Sequence, residues 1–127
     1  ILVNSKFHNT LWVPAHFHTY MIMGLVLFTL GGFYHYIQEL AQLNENKNLH
    51  RIITSLFVIG GYGFLLMFYV AGANSIPRRY AFYPAELSKG PITAQIAVVF
   101  GWILFAGVIV YLFEIGRRFK KALNNNS

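Results

Sequence analysis

Three histidines stand at the mouth of a long uncharged run, in the stretch His8-Asn9-Thr10-Leu11-Trp12-Val13-Pro14-Ala15-His16-Phe17-His18. Imidazole binds haem iron as well as zinc and copper, so the spacing decides what such a group can hold. On an α-helix each residue turns by about 100°, which points His16 and His18 about 200° apart, onto nearly opposite faces. A pair that chelates one metal from a helix needs a spacing of three or four residues. If both histidines are ligands, the helix therefore separates two metal centres, with Phe17 between them. A flat haem can stand against each side of a helix, so the geometry suggests two haems. Taken singly, either histidine is accounted for as a hydrogen-bonded packing residue. Two of them on opposite faces of apolar sequence are harder to dismiss, because ionisable groups in a membrane are costly and mark pathways or cofactors.

The elements that must carry these residues follow from how charge is distributed. The 127 residues are 56% hydrophobic and 11% charged. No Asp, Glu, Lys or Arg occurs between Thr10 and Gln38, from Ile52 to Pro77, or from Gly90 to Phe113. Each run exceeds the ~20 residues that cross a hydrocarbon core. The pattern predicts an all-α membrane protein, a single segment over residues 1–127 with transmembrane helices at about 11–37, 52–73 and 92–113. A soluble helical core would need polar faces at helical period, and these runs are apolar nearly all round. The absence of cysteine excludes disulfides, iron-sulfur clusters and zinc-thiolate sites within the chain. The net charge of +6 sits at helix ends rather than along one face, which speaks for membrane orientation and against nucleic acid. The first residue is Ile1 and no signal-like segment precedes the first helix, as expected of a piece of something longer or a trimmed chain.

In chain order, Lys6 lies in a short lead-in at one membrane surface. Thr10 or Asn9 can cap the first helix, and Pro14 is tolerated in a first turn or kinks the helix just before the histidines. Tyr34, His35 and Tyr36 form an aromatic belt at the far interface, where His35 is roughly 25 Å from His18 along the axis and too far to share its site. Residues 39–51 read as a polar linker with His50 solvated. Gly60-Gly61-Tyr62-Gly63 removes bulk from the second helix, letting a neighbouring helix or a flat macrocycle approach. Pro91 starts the third helix, with Gln95 near the surface, and Arg117, Arg118, Lys120 and Lys121 follow it before a frayed polar end.

With three spans, the linker and C-terminus share one side. That side holds Lys47, Arg51, Arg117, Arg118, Lys120 and Lys121, against Lys6, Arg78, Arg79 and Lys89 on the other. The positive-inside tendency places the C-terminus in the cytoplasm or its organellar equivalent, and the histidines near the outer surface. The Arg78-Arg79 pair runs against that tendency and asks for a local partner. Haem propionates are carboxylates, which Arg binds through a planar two-pronged donor array, so His16, His18, Arg78 and Arg79 can serve the same two cofactors. An exposed loop pair or a lipid-phosphate contact is the simpler account of the two arginines alone.

Together these residues resemble subunit I of the haem-copper oxidase superfamily. The stretch from His8 to His18 is similar to the entry into that family's tenth helix, and Ile76-Pro77-Arg78-Arg79-Tyr80 to its propionate-binding loop before the twelfth. Helix order and connecting lengths agree, so the chain corresponds to the C-terminal part of a twelve-helix subunit. The resemblance implies that His16 is the proximal ligand of the high-spin haem at the oxygen-reducing site. It implies that His18 is an axial ligand of the low-spin haem, which passes electrons across the helix near Phe17. Arg78 and Arg79 then hold propionates and raise the haem potentials. In the A-type branch the first histidine is followed by Asp, and that pair helps bind magnesium. Asn9 brings no charge to a hard cation, and with Trp12-Val13-Pro14 it is more similar to the B-type branch, in which the residue matching His8 contacts a propionate.

The family's copper ligands and second low-spin ligand belong to earlier helices, so the expected chain is one piece of a composite subunit I, inactive alone. The implied partners are the remainder of subunit I, subunit II and other respiratory-complex subunits, cytochrome c or quinol as electron donor, oxygen and membrane lipid. The implied activity is reduction of oxygen to water coupled to proton translocation in a respiratory membrane. A nitric oxide reductase-type relative shares the scaffold, and a haem-free structural or transport subunit would use both histidines for packing.

Overall fold

The computed structural model describes residues 8–42, 44, 46–77, 84–85 and 89–125. Among them the architecture is three long helices: α1 (Trp12–Ala41), α2 (Lys47–Ala73) and α3 (Lys89–Asn125). All three are long and apolar enough to cross a membrane, which makes this an all-α membrane chain.

Local chemistry sets the ends. Asn9 takes a left-handed φ of 61°, a conformation that Asn tolerates better than most side chains, and turns the chain into α1. Thr10 Oγ1 accepts the Trp12 N–H at 3.3 Å, and Pro14 falls in the first turn, where its missing N–H leaves no bond broken. At the other end Gln42, also left-handed at φ 48°, returns its N–H to Glu39 O at 3.1 Å. Asn46 then caps α2 by accepting the Leu49 N–H at 3.2 Å.

The helices run further than the charge-free runs predicted. The first extends to Ala41 rather than residue 37, the second begins at Lys47 rather than 52, and the third spans 89–125 rather than 92–113. Charge marks where the hydrocarbon stops, whereas a helix continues into polar residues while its backbone bonds and one packed stripe persist. The linker is thereby cut to residues 42–46, and His50 lies inside α2. A second departure is internal: Thr19–Val26 of α1 is a π-helix, a wider turn that no spacing of residue types announces.

The pairing of α2 with α3 rests on glycine. A Cβ on Gly60 would come within 2.8 Å of Leu104 Cα, so only glycine admits the α3 backbone there. Of the two uses open to the Gly60–Gly63 cluster, helix packing is the one seen, with Phe100 against Gly63 and Met23 of α1 against Gly61. Farther down, Tyr34, Ile53, Phe57 and Tyr111 form the buried core where all three helices meet, and Tyr111 donates its hydroxyl to Leu30 O at 2.8 Å.

Candidate functional site

His16 and His18 both fall in the α-helical first turns of α1, before the π segment begins, so the 100° step that separates their faces applies to them. His16 is exposed, with its ring edge-on to Tyr20 at 5.1 Å, while His18 is half-buried. Phe17 stands between them, 59% exposed.

The His18 ring is held by its own helix. Its Nδ1 lies 2.7 Å from the Pro14 carbonyl oxygen. A carbonyl only accepts, so Nδ1 carries the proton and Nε2 of the neutral ring keeps its lone pair. An imidazole fixed in this way is ready to ligate a metal through Nε2, the arrangement by which proteins set ligand tautomer and ring orientation. Thr19 adds a second bond of the same register, its hydroxyl donating to Ala15 O at 2.8 Å. That hydroxyl also meets the Tyr69 hydroxyl of α2 at 3.0 Å.

The neighbouring loop is tied to the same end. Thr10 and Pro77 form an antiparallel bridge, and Leu11 donates its N–H to Ile76 O at 3.0 Å. Ile76 is buried at 1% exposure, so the tether is a packed one. Gly72 makes the approach possible, since a Cβ there would lie 2.7 Å from Trp12 Cα. The Trp12 indole then stands edge-on to Tyr69 at 4.7 Å. His8 is exposed in the turn that precedes this bridge. Arg78 and Arg79 follow Pro77 directly in sequence but lie outside the described residues. What the fold brings together, therefore, is the histidine segment and the residues that lead into the arginine pair.

Among the described residues no three His, Cys, Asp or Glu side chains gather into a chelating group. The donor set is one imidazole per face, which fits haem, a cofactor that brings four of its own ligands, and does not fit a protein-chelated zinc or copper. His35 is remote from both faces and exposed, with Nε2 3.3 Å from Glu39 Oε1 one turn on. His50 is exposed with its ring 5.8 Å from Tyr34.

Sequence reasoning missed four contributors. The Pro14 carbonyl, the Thr19–Tyr69 contact and the Trp12–Gly72 approach depend on tertiary placement and leave no local signature. The fourth is a buried ion pair at the opposite end of the bundle. Glu114 and Arg118, 2% and 1% exposed, meet at 2.7 Å, while Arg117 grips the same carboxylate with two bonds of 2.9 Å. Its signal was present, because Glu114 precedes the arginines by three and four residues on one helix.

The family model for cytochrome c and quinol oxidase polypeptide I matches residues 1–110. Cytochrome c oxidase subunit 1 of Eremothecium gossypii is 32% identical over 88 residues, covering 66% of this chain and 16% of the relative. That of Corynebacterium diphtheriae is 29% identical over 113 residues, covering 88% and 20%. A protein named probable quinol oxidase subunit 1 from Staphylococcus epidermidis is 25% identical over 111 residues, covering 84% and 17%. The chain thus spans about a fifth or less of the length of these relatives. No solved structure matches it. With a family match that covers the first two helices and reaches well into the third, the chain belongs to the cytochrome c and quinol oxidase polypeptide I family.

Proposed function

We propose that this chain supplies the haem-ligating part of a respiratory terminal oxidase. In that role His18 holds a low-spin haem iron and His16 holds the high-spin iron of the oxygen-reducing site. The observation that carries this reading is the fixed His18 tautomer, with Nδ1 committed to Pro14 O at 2.7 Å and Nε2 left with its lone pair. The family match adds the chemistry in which such a ligand is used.

A haem bound at each imidazole would supply reversible one-electron transfer and, where a coordination position stays open, binding of a small ligand such as oxygen. The chain's own residues hold, orient and tune. Pro14 fixes the plane and tautomer of His18. Thr19 and Tyr69 lock the adjacent turn of α1 against α2. Arg78, Arg79 and His8 would bind propionate carboxylates on the side of the tethered loop, and their positive charge would favour the reduced, more electron-rich haem. Asn9, with its left-handed backbone, places His8 at the turn without adding a negative charge there. Copper would be bound by residues outside this chain, and the electron donor would be cytochrome c or quinol. Oxygen reduction to water coupled to proton translocation is then the activity of the assembled subunit.

Haem content tests the assignment. In the purified complex containing this chain, His16→Ala and His18→Ala should each remove one of two haems. Retention of both haems in both variants would return the histidines to a packing role.

A further inference from the structure

We propose that the crevice between the three helices at the Glu114 end binds an anionic phospholipid, with one acyl chain in the crevice and the phosphate among the cations at its mouth. The crevice is a cavity of about 250 Å³. Leu27 and Leu30 of α1, Ile53, Phe57 and Val58 of α2, and Tyr111 of α3 line it. The Tyr111 hydroxyl is already committed to Leu30 O at 2.8 Å, and beside Tyr34, His50 and Thr54 the remaining lining side chains are apolar. Apolar cavities of this kind take apolar occupants, and in a bilayer a lipid acyl chain is one, which the cations at the mouth favour over a further helix.

The mouth has the opposite character. Lys47, His50, Thr54 and Phe57 recur at spacings of three and four residues, so the exposed Lys47 and His50 continue the lining face of α2 toward the membrane surface, Lys47 bringing a positive charge. No acidic residue occupies the first turn of α2, whose amino end is itself positive. Arg51, Arg117, Lys120 and Lys121 are exposed at the same end. The linker and tail together hold six Lys and Arg against three Glu. One of those three, Glu114, is already consumed by Arg117 and Arg118.

A third observation joins the two regions. The Arg118 guanidinium lies 4.7 Å from the Tyr34 ring centroid, and its buried Nη1 has no hydrogen-bond partner among the described residues. Tyr34 also lines the cavity, so one ring separates an apolar slot from a cation with bonding capacity to spare. An apolar slot under a cationic rim is the shape of a lipid site, as basic pockets between transmembrane helices are. This inference is independent of the haem assignment.

The test uses the intact complex in nanodiscs of phosphatidylcholine and phosphatidylglycerol, transferred to lipid-free detergent, with retained lipid identified by native mass spectrometry. The wild type should keep phosphatidylglycerol. Gly31→Leu should lose it, because Gly31 lines the cavity and a Cβ there meets open space, so the added side chain takes up room in the slot. Lys47→Gln with Arg51→Gln should weaken retention about 30-fold while leaving the slot open. Helicity and complex assembly, measured alongside, should be unchanged in both variants. Equal retention of phosphatidylcholine, unchanged retention in Gly31→Leu, or a photo-crosslinker at position 54 that captures another polypeptide would each overturn the proposal.

Discussion

At the scale of residues, the proposed ligation turns on how the His18 ring is held. One backbone carbonyl, on Pro14, fixes the His18 proton on Nδ1 at 2.7 Å. That face assignment was legible in the sequence because residues 12–18 are ordinary α-helix, in which 100° per residue holds. The carbonyl was not legible, since a side chain's choice between solvent, a backbone oxygen and a neighbour is made by packing. Arg78 allows a test at this scale. Arg78→Ala should leave haem bound but lower a haem reduction potential by about 40–90 mV, the one-electron equivalent of the roughly 1–2 kcal/mol by which a nearby positive charge, at an effective dielectric of about 20, favours the reduced state. Redox titration checks it, and an unmoved potential would place this arginine in solvent. Glu114 offers a second test, concerned with stability. Glu114→Gln strips the partner from an arginine that is 1% exposed, which should cost about 3–5 kcal/mol and lower the thermal midpoint of the complex. Joint replacement of Glu114 and Arg118 by Leu and Met should recover most of that loss, because the cost lies in the uncompensated charge.

At the scale of elements, the three spans could be read from where charge is missing, and their ends could not. Glu39, Lys47 and Arg117 all lie inside helices. Charge reports the water boundary, while capping by Asn46 and the left-handed turn at Gln42 report the backbone boundary. The π segment Thr19–Val26 was hidden for a different reason: it changes hydrogen-bond register without requiring particular side chains, and it shifts every face below it. Glycine placement gives a prediction at this level. Gly72→Val should force Trp12 away from α2 and break the approach that sets the Thr10–Pro77 bridge. The expected cost is about 1–3 kcal/mol, with haem occupancy falling alongside thermal stability. Full haem occupancy in a destabilised Gly72→Val complex would show that the tether does not serve the site. Gly31→Ala, by contrast, meets open space and should be neutral or slightly stabilising in the same thermal assay.

At the scale of the whole molecule, three helices leave most of their apolar surface uncovered. Phe28 is 84% exposed, Phe113 75% and Tyr20 67%, and His16 is exposed beside them. Scattered large side chains of this kind suit hydrocarbon or further helices, and the chain spans a fifth or less of its relatives. The two ends of the bundle differ in kind. One gathers His8, His16, His18 and the loop leading into Arg78; the other gathers a buried ion pair, a core of aromatic rings and an apolar slot. On the proposed reading the labour is divided, with cofactor ligation assigned to the first end and helix packing seen at the second.

The most direct measurement is the optical spectrum of the purified complex, reduced with and without carbon monoxide, for the wild type, His16→Ala and His18→Ala. Two ligands on opposite helix faces predict two haem populations, of which only one binds carbon monoxide. His16→Ala should abolish the carbon monoxide shift and spare the low-spin bands, and His18→Ala should remove the low-spin bands. If both substitutions disturb the same haem, or neither changes any band, the assignment of His16 and His18 to separate irons is wrong.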